Sequence, residues 1–154
     1  MENYLKIMQA QEKDFESKIA GDFFAEVEKE IEKELIDSTN RKDKFCIAIR
    51  DIIINERAYR NPKLTRDSLT KQMGINKDLF VKIFFERFGM QFRTFINRLR
   101  LKESIVLLEQ SDLSIEEISD KTGFGTLRTF QRRFRDMYNI SPKDYRKMEQ
   151  KKMY

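Results

Sequence analysis

The chain repeats itself once, and that repeat limits the folds open to it more than any other feature. Leu64-Thr65-x3-Leu69-x3-Met73-Gly74-Ile75 returns 49 residues later as Leu113-Ser114-x3-Ile118-x3-Thr122-Gly123-Phe124. After one inserted residue the offset is 50. Phe80-x3-Phe84-x3-Phe88 matches Phe130-x3-Phe134-x3-Tyr138, and Phe95 matches Tyr145. Apolar residues at three- and four-residue steps have the period of a helix. Each copy therefore predicts a short helix, a turn holding a Gly, and a second helix with an aromatic stripe facing the core. The start signals agree: Ser114 with Glu117 three residues on is a capping box, and Thr65, Asn76 and Thr126 are good N-caps. Gly74 and Gly123 stand where a tight helix-to-helix turn calls for positive φ. Two small helices joined at a steep angle follow the helix-turn-helix plan. A helical solenoid would also repeat, but two copies fall short of the three that such an array needs.

Between the copies, Gln91 to Leu108 carries Phe92, Phe95, Ile96, Leu99, Leu101, Ile105 and Leu108 with no Gly or Pro. This predicts one continuous helix of roughly five turns, a rigid spacer between the units. Its cations Arg93, Arg98, Arg100 and Lys102 are expected to be solvated or ion-paired, with DNA contact as the alternative. The fold class is therefore all-α, and composition agrees. The chain has 5 Gly and 2 Pro, too few turn residues for a sandwich or barrel. Hydrophobic residues at 40% supply a core despite 37% charged residues. Histidine is absent, which removes Ser-His and Cys-His pairs and the usual zinc ligand. Cys46 is alone within Phe45-Cys46-Ile47-Ala48-Ile49, so it reads as a buried small hydrophobe rather than a reactive thiol. No catalytic residue, metal ligand or cofactor site is expected.

Charge divides the chain. Residues 1–43 hold 7 basic and 12 acidic residues, a net −5, whereas residues 44–154 carry +10. A basic body of this density suits a polyanion such as nucleic acid, although a solubilising surface would look the same. The acidic head reads as an amphipathic helical segment. Leu5, Met8, Phe15, Ile19, Phe23, Val27, Ile31 and Leu35 recur at helical steps, with an interruption at Gly21-Asp22. Its apolar stripe packs on its own domain, forms a homodimer seam through residues 1–36, or meets an absent sensor domain. The amino terminus shows no targeting pattern, and no apolar run approaches the ~20 residues of a membrane span. No membrane partner is expected, and the expected compartment is the cytoplasm.

The second copy and its sequel, Ile118-x4-Gly123-Phe124-x5-Phe130-x3-Phe134-x7-Pro142-x2-Tyr145-Arg146, resemble the AraC/XylS family of transcription regulators. The first copy has the family's order too: Leu64-Thr65, Gly74, Phe80, Phe84, Gly89, then Phe95-Ile96-x3-Arg100. The resemblance covers about residues 44 to 148. Ser119, Asn139 and Gly125 depart from the usual residues, and Gly125 at the head of the second recognition helix could loosen its first turn. The resemblance implies a DNA-binding domain over 44–154. Its first helix-turn-helix lies at about 64–89, its linker helix at about 91–108 and its second helix-turn-helix at about 113–139. The two recognition helices, about Lys77–Arg87 and Thr126–Met137, would enter successive major-groove segments ~34 Å apart. The family's sensor domain does not fit in 43 residues, so this is a stand-alone regulator or one part of a longer chain.

On the first recognition helix Leu79, Phe80, Ile83 and Phe84 are expected to face the core, leaving Asp78, Val81 and Lys82 outward as base contacts. Asp78 is also explained as an acid favoured by the helix dipole. On the second, Phe130 and Phe134 are expected in the core, with Leu127, Arg128, Gln131, Arg132 and Arg135 outward. Arg128 and Arg132 suit guanine edges and Gln131 suits adenine, so these three are the second set of base contacts. Thr65, Asn76, Lys77, Thr126, Arg133 and Arg135 are phosphate contacts or, equally, capping and surface residues. The partners this implies are double-stranded DNA and, for a regulator, RNA polymerase. The alternative is a protein-interaction module using the same bihelical fold without reading DNA.

Overall fold

The computed structural model describes residues 41–152 of the chain. The apolar stripe at 5–35, and the contact surface expected in residues 1–36, lie outside the described residues. The described residues hold seven α-helices and no strand. Helix α1, Arg41–Arg50, runs directly into a π-helical turn, Asp51–Asn55, and a short 3-10 turn follows at Ala58–Arg60. Asn61 is extended, as the Pro62 ring after it requires. Phe45 and Cys46 are buried, as an apolar run predicts.

The first helix-turn-helix is α2, Arg66–Met73, and α3, Lys77–Phe88. Thr65 starts α2 with a reciprocal box: its hydroxyl accepts the Ser68 N–H, and the Ser68 hydroxyl oxygen accepts the Thr65 N–H, both at 3.0 Å. The Asn76 side-chain oxygen starts α3 by accepting the N–H groups of Asp78 and Leu79. The linker α4, Phe92–Gln110, is 19 residues long and unbroken. The second unit is α5, Ile115–Lys121, and α6, Leu127–Tyr138, followed by α7, Pro142–Lys152. Ser114 and Glu117 form the expected capping box, and Asn139 ends α6 in the left-handed region at φ 58°.

Each unit has an aromatic core seated on a different stretch of α4. In the first, Phe80 stacks on Phe84 at 5.5 Å and Phe92 meets both rings edge-on. In the second, Phe124, Phe130 and Phe134 pack with Ile118, Leu101 and Leu108. Helix α7 closes this core. Tyr145 sits edge-on to Phe134, and Arg146 donates to the Leu108 and Leu113 carbonyls, which accounts for the Pro-x-x-Tyr-Arg ending.

Three sequence expectations are corrected. Leu79 lies on the exposed flank of α3 at 39% accessibility, because Phe80, Ile83 and Phe84 already fill the core-facing arc. Leu127 is half-buried against the second core rather than outward, since one and two helical turns on lie Phe130 and Phe134, on the same face. Arg100 is neither solvated nor ion-paired through its head group but buried, as its hydrogen bonds explain below.

Candidate nucleic-acid interface

A recognition surface of this kind is built by two helices and by whatever holds them at a fixed spacing. The holding element is the segment 59–62, caught between α4 and the second unit. Arg100 on α4 donates from Nε to the Tyr59 carbonyl at 2.7 Å and from Nη2 to the Asn61 carbonyl at 2.9 Å. Its guanidinium also lies 5.9 Å from the Phe124 ring centre. Burial brings its pKa down to about 10, so it stays charged at neutral pH. One turn on, Glu103 is 2% exposed and pairs with Arg60. Burial raises its acid above the usual glutamate range although Arg60 pulls the other way. Opposite these, Gly123 at φ +84° faces the Arg60 backbone so closely that a Cβ would come within 2.4 Å of its carbonyl oxygen. Gly123 is thus needed for the approach as much as for the turn.

The reading elements project from this frame. On α3, Asp78, Val81 and Lys82 are all exposed, as expected. Phe85 is exposed too, at 56%, and was not among the expected site residues. It lies off the 80–84–88 stripe and one turn beyond Val81 and Lys82, which is the signal that marks it. On α6, Arg128, Gln131, Arg132 and Arg135 are exposed, and none of the three arginines is ion-paired with a described residue. Gly125 does not fray this helix. It takes φ +77°, and Thr126 then caps α6 by accepting the Thr129 N–H.

The six expected phosphate contacts are not alike. Thr126 spends its hydroxyl on both the Thr129 N–H and the Thr129 hydroxyl. Thr65 and Asn76 use their side-chain oxygens as caps. Lys77 stands 3.0 Å from Asp67, whose acid it holds below the usual range. Arg133 is 4.0 Å from Asp136 and half-buried, and Arg135 is exposed. Arg133, Thr129, Val81 and Phe85 line one cleft of about 750 Å³, together with Arg66, Asp67 and Arg93.

A family model described as a helix-turn-helix domain matches residues 69–148, from α2 into α7 and just over half the chain. The chain belongs to the AraC/XylS family. Among curated AraC/XylS-type relatives, the TCP pilus virulence regulatory protein of Vibrio cholerae is 29% identical over 125 residues, 80% of this chain and 42% of the relative. The chain spans less than half the length of the first curated relatives it matches. Among solved structures, the C-terminal domain of the two-component response regulator YesN from Fusobacterium nucleatum matches with a TM-score of 0.63 at 26% identity. That match covers 67% of this chain and 98% of that one. The DNA-binding domain of AdpA, solved with a target DNA, shares the fold with a TM-score of 0.63 at 19% identity, over 68% of this chain and 94% of its own. No helix among the described residues is long and apolar enough to cross a membrane.

Proposed function

We propose that the chain is a sequence-specific double-stranded DNA-binding transcription regulator that lays α3 and α6 in successive major-groove segments. The observation that carries this is the exposed row Arg128, Gln131, Arg132 and Arg135 on a recognition helix held by a buried frame. Free guanidinium forks on a rigid helix suit guanine edges and phosphates. Asp78, Val81 and Lys82 are assigned to the bases of the first box, and Arg128, Gln131 and Arg132 to those of the second. Thr65, Asn76, Lys77, Thr126, Arg133 and Arg135 are assigned to the phosphates, Arg135 the most available and Thr126 the least. The reading involves no catalytic step or cofactor. It puts the protein in the cytoplasm, with RNA polymerase as a partner met on the DNA.

The test is the salt dependence of binding. If ~5–8 phosphates are neutralised, log K falls against log salt with a slope of roughly −4 to −7. A flat response would instead favour the protein-interaction reading.

A further inference from the structure

The outward face of α3 carries apolar Val81 and Phe85 among its charges, where α6 carries Gln131 and Arg135. Position for position the two helices are related by the offset of 50, so Val81 answers to Gln131, Lys82 to Arg132 and Phe85 to Arg135. Arg135, exposed and not ion-paired with a described residue, can hold a phosphate, whereas a phenyl ring there cannot. The ring is not a core residue displaced by crowding. Phe80, Ile83 and Phe84 fill the buried arc with 0%, 3% and 1% exposure, and at 100° per residue Phe85 falls between the directions of Val81 and Lys82. It is the most exposed large hydrophobic residue among those described. An isolated surface Phe would need no explanation. This one sits beside Val81 in a cleft that also carries Arg66, Arg93 and Arg133. An apolar peptide would answer the ring but not the cations, of which Arg66 and Arg133 also have acids nearby, Asp67 at 3.4 Å and Asp136 at 4.0 Å. A DNA groove supplies both phosphates for the rim and a hydrophobic spot between them. In the major groove that spot is the thymine C5-methyl group.

We propose that Phe85, together with Val81, reads thymine methyl groups in the box beneath α3, so that this box is selected by apolar contact rather than by hydrogen bonds. The proposal rests on the DNA-binding reading above. Its test is binding of the full chain to its selected duplex and to duplexes with single thymines replaced by deoxyuridine, which removes only the methyl group. One buried methyl is worth ~0.8 kcal/mol, about a four-fold change in affinity. The wild-type protein should lose about that much at one or more thymines of the first box. Phe85→Ala should bind the parent duplex more weakly and become indifferent to deoxyuridine at one of them. Phe85→Arg, which restores the residue type of the second copy, should also lose methyl sensitivity while steepening the salt slope by about one. Phe85→Ala retaining the full wild-type deoxyuridine profile would overturn the proposal. So would a variant that binds every duplex as wild type does, which would make the ring a protein-docking residue. A wild-type chain that binds no duplex would instead overturn the DNA-binding reading itself.

Discussion

Lys82 and Arg132 hold the same place in the two copies, both exposed, but their head groups read differently. A lysine offers one flexible point charge, and an arginine a planar fork that matches the two acceptors of guanine. The expected outcome is that Arg132→Ala relaxes selectivity in one box, by ~1–3 kcal/mol at its best base pair. Lys82→Ala should weaken many sequences nearly alike. Binding selections on the two variants decide it, and the reverse pattern would make α3 the main hydrogen-bonding reader. Asp78, Val81 and Lys82 of α3 and Arg128, Gln131, Arg132 and Arg135 of α6 were legible because helix period fixes which side an aromatic stripe leaves open, whereas Leu79, Phe85 and Leu127 were not. Arg100 and Glu103 were harder to read. They stand four residues beyond Ile96 and Leu99, on the buried arc of α4, but polar letters on a core stripe look like solvated ones until their partners are known. Those partners are the Tyr59 and Asn61 carbonyls and Arg60, some forty residues away in the chain.

Helices α2, α3, α5 and α6 begin where side chains close their first turn, and this is where sequence and structure agree best. In the box at α5, the Glu117 carboxylate accepts the Ser114 N–H at 2.7 Å, and this bond holds its acid below the usual glutamate range. A folded-state value below the unfolded one means a contribution present above the ordinary glutamate pKa and lost as pH falls through the folded value. Glu117→Gln should therefore flatten part of the acid-side loss of stability, and Ser114→Ala should cost about 1 kcal/mol at neutral pH. Chemical melts from neutral to acid pH read both, and a Gln variant that tracks the wild type throughout would remove the carboxylate from the account. The start of α2 shows what a pattern search for Glu or Gln misses: Ser68 closes the box with Thr65 in place of a longer acid. The start of α6 shows the opposite error. Gly125 reads as a weak point, yet its positive φ with Pro62 nearby is what delivers Thr126 to its capping position.

At the scale of the molecule the two reading units are joined twice, by α4 and by the segment 59–62. The repeat and the uninterrupted apolar pattern of 91–108 foretell the first joint. The second depends on contacts between distant residues, with Arg60 at its centre, packed on Gly123 and paired with Glu103. Two joints make a frame, and a frame sets one spacing. Arg100→Lys replaces a two-pronged donor with a single point and should loosen that spacing while leaving each box's base preference intact. The central claim is that both helices read DNA at once, at a distance the frame fixes. Its most direct test is selection of bound duplexes from a random library at physiological salt, by the wild-type chain and by Arg100→Lys. Two enriched boxes about one helical turn apart at a single spacing are expected for the wild type, and the same boxes at scattered spacings for the variant. A single enriched box, or two boxes whose separation wanders in the wild type, would contradict it.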